Sequence, residues 1–136
     1  MGLGLLNIVA ASIAKSGSSL QQVMEEVRQL IPSIHLLGLF DTLKYLALGG
    51  RIGKAKALLG SVLSVKPMLT MEDGELEPAG QVHNQANGMD RLFDFAENAG
   101  AIHDLAIVYS TTPDEAQILA ERMGSLFPKE QTRLTR

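Results

Sequence analysis

The densest anion-binding chemistry in this chain lies in the run Gly49-Gly50-Arg51-Ile52-Gly53-Lys54. Glycines leave backbone N–H groups open to approach, and an arginine adds a planar fork of donors that suits a carboxylate or phosphate. The spacing is not that of a nucleotide phosphate loop, because Gly49 and Gly53 stand too close and Ala55 follows Lys54 where Ser or Thr is required. It is not a dinucleotide fingerprint either, because a helix rather than a strand is expected before it. Two readings stay open. One is a helix C-cap whose Arg ties the loop down. The other is an anion site built from Gly49, Gly50, Arg51 and Lys54.

The other reactive side chains do not assemble. His35, His83 and His103 have no i, i+4 pairing and no acidic neighbour at ligand spacing, so no metal site is expected. His35 falls within an apolar run and reads as a partly buried, hydrogen-bonded imidazole. Ser110-Thr111-Thr112 reads as a helix cap rather than a nucleophile, since no base stands at a suitable position. Asp41 also reads as a cap, and Glu25-Glu26 and Glu75/Glu77 fall on solvent faces. No catalytic constellation and no cofactor fingerprint follow from these residues, so a binding domain is expected rather than an enzyme. A small transferase acting on phosphate competes only through Gly49 to Lys54.

A different chemistry is carried by aliphatic side chains. Leu58, Leu59, Val62 and Leu63 form one helical stripe, and Leu36, Met68 and Leu69 lie in apolar runs expected to be strands. Such a stripe serves either as core or as the wall of an apolar cavity, and the flexible Met68 thioether adapts to different shapes. The 136-residue composition supports a packed domain: 46% hydrophobic, 20% charged, 4% aromatic and no Trp. With a net charge of -3, few aromatics and no Lys/Arg stripe, nucleic-acid binding is excluded as a main role. The absence of cysteine removes disulfides and thiolate metal sites and fits a cytoplasmic protein. Met1 to Ala14 is apolar but too short to span a bilayer, and it lacks a basic leader, so it reads as a buried helix.

These residues need elements to hold them. The pattern predicts a helix over 3–16, closed by Gly17, and a second from Leu20, with a capping box from Ser18 to Gln21. Leu20, Val23, Met24, Val27, Leu30 and Ile31 form its apolar face, and Pro32 ends it. A buried strand is expected over 34–40, a short helix over 42–48 and another helix over 54–65. Asp73-Gly74 predicts a type I′ hairpin between strands 67–72 and 75–82, with Pro78 marking an edge or bulge. A helix over 86–98, a strand over 105–109 and a helix from Thr112 to about Leu126 complete the order, with a capping box from Thr112 to Glu115. The tail 129–136 has charge and no pattern. The expected class is α+β: a mixed or antiparallel sheet with a β-hairpin and helices packed on it, its strands belonging to one sheet.

The string from Phe40 to Ile52, F-D-T-L-K-Y-L-A-L-G-G-R-I, resembles the DegV family's strand ending in Asp, followed by T-L-x-Y-L and G-G-R-I. Ala57 to Leu69 is similar to the family's next segment, L-L-G-x-L-L-x-x-K-P-I-L. Asp73-Gly74-Glu75-Leu76-Glu77-Pro78 is similar to its D-G-x-L-x-P, and Gly2-Leu3-Gly4-Leu5 to its G-x-G-L. His83 departs from the pattern, which commonly has Arg there. The resemblance implies the C-terminal, lipid-binding domain of a two-domain fatty-acid-binding protein, over residues 1–127, with 128–136 leading into a further segment. An N-terminal α/β domain, absent here, and a later His-containing segment would supply the carboxylate contacts. It implies a fatty acid as ligand and a fatty-acid kinase subunit as partner, with Gly49, Gly50, Arg51 and Lys54 as anion or docking candidates. Leu36, Leu58, Leu59, Val62, Leu63 and Met68 become candidate walls for the acyl chain. The competing expectation is an interaction or dimerisation module without lipid, in which a bared apolar face self-associates.

Overall fold

The computed structural model describes residues 2–60 and 65–136, which form two compact units. The first comprises 1–35 and 103–136, the second 36–102.

In the first unit, α1 (Gly2–Lys15) packs on α2 (Leu20–Leu30). The capping box forms one residue later than expected. Ser19, in extended backbone, accepts from the Gln22 N–H, and the Ser19 N–H donates to the Gln22 side chain at 2.8 Å. The tandem Ser18-Ser19 and Gln21-Gln22 allow either register, and the helix start at Leu20 selects the second. The expected burial of both helices is corrected. Neither has a buried residue, and Leu20, Met24 and Ile31 are exposed while Val23, Val27 and Leu30 are half-buried. Within this unit a two-helix pair covers only one flank of each.

Strand β4 (Leu105–Val108) leads through α5 (Pro113–Met123) to β5 (Thr132–Thr135), which pairs with β4 in parallel. This corrects the patternless tail. The helix supplies the crossover that a parallel pair needs, and Arg133 Nη2 bonds Asp104 Oδ1 at 3.0 Å beside the first pair. Ile107, Ala116, Leu119 and Met123 make the buried layer. Pro113 occupies the first turn as expected. Thr112, however, has a φ of -120° and a ψ of 66° and makes no side-chain cap, and the helix ends at Met123 against Gly124.

In the second unit, β1 (Leu37–Leu39), β2 (Lys66–Glu72) and β3 (Glu75–Val82) form an antiparallel sheet in that order. The hairpin turn is as its residues dictate, with Asp73 at φ 49° and Gly74 at φ 81°. The register passes from Met68↔Gly80 to Leu69↔Pro78, so Ala79 is the extra residue of a bulge beside Pro78. Strand β1 is shorter than the predicted 34–40, and a 3₁₀ turn, Ile31–Ser33, precedes it. His35 is exposed and outside the strand, not partly buried within it. The single-sheet expectation is also corrected: the hydrogen-bonded sets are β1-β2-β3 and β4-β5.

Both faces of this sheet are covered. Helix α4 (Gln85–Glu97), capped by the Asn84 side chain, lies on one face, where Gly88 lets it come close to Leu39. A β-carbon at Gly88 would stand 2.4 Å from Leu39 Cδ2. Leu39 is directly opposite Met68, so both point toward α4. The other face carries the cluster of Leu43, Ala55 and Leu69, with Phe40, Leu46, Ile52, Leu58 and Leu76 packed on it. The class is thus α+β, with a small antiparallel sheet and helices on it.

Candidate functional site

Helix α3 (Lys44–Leu48) brings the chain to the glycine-arginine loop. The expected Asp41 cap is corrected: its carboxylate pairs with Lys66 instead, and the Thr42 hydroxyl oxygen accepts from the Lys44 N–H at 3.2 Å. The helix ends in a Schellman motif. Gly50 takes φ +66°, its N–H donates to Ala47 O at 3.1 Å, and the Arg51 N–H donates to Leu46 O at 2.9 Å. The Gly49 N–H donates to Tyr45 O at 2.9 Å. All three amides are thereby engaged in the cap. The Gly49 and Gly50 amides thus close the helix, which is the C-cap arrangement that the sequence offered as one of its two readings.

Over the described part of the predicted helix 54–65 a 3₁₀ turn, Gly53–Leu58, forms instead, after which Leu59 is extended and Gly60 has φ +100°; 61–64 lie outside the described residues. Positive φ at Gly53 and Gly60 brackets the turn and prevents one continuous helix. Gly53 also touches the hairpin: a β-carbon there would lie 2.7 Å from Leu76 O and 3.0 Å from Leu76 N. Ile52 packs against the Leu43–Ala55–Leu69 cluster.

Lys54 is committed to Glu77 on β3, a residue expected on a solvent face and found half-buried. Strand alternation gives no sign of this pairing; it arises because the loop lies along the hairpin. The hydrogen bond to Glu77, and then its charge, raise the Lys54 pKa above the ordinary 10.5. Arg51 remains exposed, and among the described residues it has no ion-pair partner. Its guanidinium lies over Gly49, where a β-carbon would be 3.5 Å from Nη1. Of the four sequence candidates, Gly49 and Gly50 thus shape the loop, Lys54 fastens it, and Arg51 is the donor presented outward.

The acyl-wall candidates are not brought to one surface. Met68, 1% exposed, is packed between the sheet and α4, whereas Leu58 joins the cluster on the opposite face. Leu36 is half-buried and Leu59 is exposed. Val62 and Leu63 lie outside the described residues. His83 lines an open polar depression with Gln81, Asn87, Asp90 and Arg91, a grouping that strand β3 and helix α4 create from residues far from the Arg51 loop in sequence. Among the described residues no group of His, Cys, Asp and Glu is arranged to hold a metal, and no helix is long and apolar enough to cross a membrane.

A family model described as "Uncharacterised protein, DegV family" matches residues 1–135. A DegV domain-containing protein of Streptomyces coelicolor is 35% identical over 130 residues, covering 94% of this chain and 46% of that protein. Among solved structures, one described as "Fatty Acid Binding of a DegV family Protein from Thermus thermophilus" superposes with a TM-score of 0.83 at 30% identity, over 98% of this chain and 49% of that one. The fold is also shared by the Fatty Acid Kinase (Fak) B3 protein of Streptococcus pneumoniae, loaded with linoleic acid, with a TM-score of 0.81 at 21% identity, over 97% of this chain and 48% of that one. The chain therefore spans about half the length of these relatives.

Proposed function

Because this chain belongs to the DegV family, we propose that it forms part of a fatty-acid carrier, sheltering the acyl chain and presenting its carboxylate to a fatty-acid kinase. The observation that carries this reading is the likeness, over nearly the whole chain, to the Thermus thermophilus protein described as fatty-acid binding. The part played here is binding rather than catalysis. Each CH₂ taken out of water contributes about 0.8 kcal/mol, so an aliphatic wall alone discriminates for chain length without a polar contact. Of the candidate lining residues, half-buried Leu36 and exposed Leu59 are assigned to that wall, whereas Leu58 and Met68 are packed against protein on opposite faces of the sheet. The carboxylate contacts belong to segments that the family resemblance places outside this sequence, and Arg51 is assigned to docking the kinase.

Native mass spectrometry tests the lipid reading. The 136 residues are compared with a form extended at both ends to family length, each incubated with an 18-carbon fatty acid. Stoichiometric retention by the extended form and weak retention by the shorter one is expected. Failure of the extended form to retain the acid overturns the proposal. The competing reading, self-association without lipid, draws on the exposed Leu20 and Met24 of α2 and Ile31 just after it. It is tested by light scattering of the 136-residue chain, where a lipid-free dimer would favour it.

A further inference from the structure

The loop that presents Arg51 is held from two sides. On the α3 side the Schellman bonds fix its backbone, with the Arg51 N–H on Leu46 O. On the other side the loop is fastened to β3 by residues more than twenty positions away. Gly53 approaches the Leu76 backbone so closely that no side chain fits between them, and the next residue, Lys54, pairs with Glu77. Ile52 enters the apolar cluster that Leu76 also covers. Each residue from Ile52 to Lys54 thus has an anchor, and Arg51 is the first residue before that anchored run.

From this geometry we infer that Glu77 is a positioning residue for partner docking: through Lys54 it fixes the loop against the hairpin and so sets where the Arg51 guanidinium is presented. The inference rests on the docking role proposed for Arg51. An exposed ion pair contributes little to global stability. Its effect is therefore local, on the loop's freedom rather than on whether the domain folds. A partner carboxylate or phosphate that needs two parallel bonds from the guanidinium is sensitive to that freedom, because bidentate geometry has narrow angular tolerance.

The test uses the whole chain with Glu77→Gln, with the charge exchange Lys54→Glu/Glu77→Lys, and with Arg51→Ala. Two quantities are read: amide hydrogen exchange at 50–53, and affinity for a purified fatty-acid kinase catalytic subunit. Glu77→Gln is expected to speed exchange in the loop and to weaken binding by about two- to five-fold, the range an exposed pair commands. The charge exchange should restore both, which a loss of general stability would not. If Glu77→Gln changes neither loop exchange nor affinity while Arg51→Ala weakens binding, the positioning role is wrong and the docking reading stands. If Arg51→Ala leaves binding intact, or the unsubstituted chain does not bind, the docking reading falls, and loop exchange alone then reports whether the fastening exists.

Discussion

Replacing Gly53 and Gly50 separately by alanine measures how tightly the loop is pressed on the hairpin. Both glycines have positive φ, +52° at Gly53 and +66° at Gly50, so alanine at either is placed in the left-handed region at a cost of about 1–2 kcal/mol. Around Gly50 an added β-carbon meets nothing within 4 Å, so strain is the whole effect expected there. At Gly53 the β-carbon would stand 2.7 Å from Leu76 O, a backbone atom that cannot swing aside as a side chain can. Forcing the two backbones apart adds an overpacking cost of about 1–3 kcal/mol. Gly53→Ala should therefore destabilise by about 2–5 kcal/mol and Gly50→Ala by about 1–2 kcal/mol. Urea unfolding followed by circular dichroism gives both values, provided the m-value is unchanged. Equal losses at the two positions would refute the close approach, because backbone strain alone would then account for both.

Arg51→Ala should change stability by no more than about 0.5 kcal/mol, as for an exposed side chain, while lowering kinase affinity; a large fall in thermal midpoint would instead mark Arg51 as a loop tie. Asn84→Ala removes the side chain that accepts from the Asn87 N–H at 2.9 Å and should cost about 1 kcal/mol of stability in urea unfolding, with Asn84→Asp close to neutral. Leu69→Ala empties a fully enclosed site and should cost about 2–5 kcal/mol by the same assay, whereas Leu59→Ala at an exposed site should cost far less. The raised Lys54 pKa gives a signed pH effect. Its contribution is fully present below the ordinary 10.5 and is lost as pH rises through the higher folded value, so Lys54→Met should flatten stability against pH above about 10.5.

Local chemistry made much of this protein legible. Asp73-Gly74 dictates its turn because positive φ is needed at both positions, and Pro78 marks the bulge because it cannot donate to the ladder. The string from Phe40 to Ile52 carried the resemblance to the DegV family, whose model matches residues 1–135. What the sequence left undetermined depends on contacts between distant residues. The capping register at Ser19 and the missing side-chain cap at Thr112 turn on backbone angles that residue type only biases. Strand β5 exists because α5 returns the chain beside β4, and nothing in T-R-L-T alone requires that. Met68 and Leu58 look alike as apolar residues, yet they lie on opposite faces of the sheet because covering both faces divides the apolar residues into two layers. The glycine-arginine loop shows the same division of information. Its composition advertises anion binding, but only the tertiary structure engages the amides in closing α3, directs Lys54 to Glu77 and leaves the Arg51 side chain as the exposed donor.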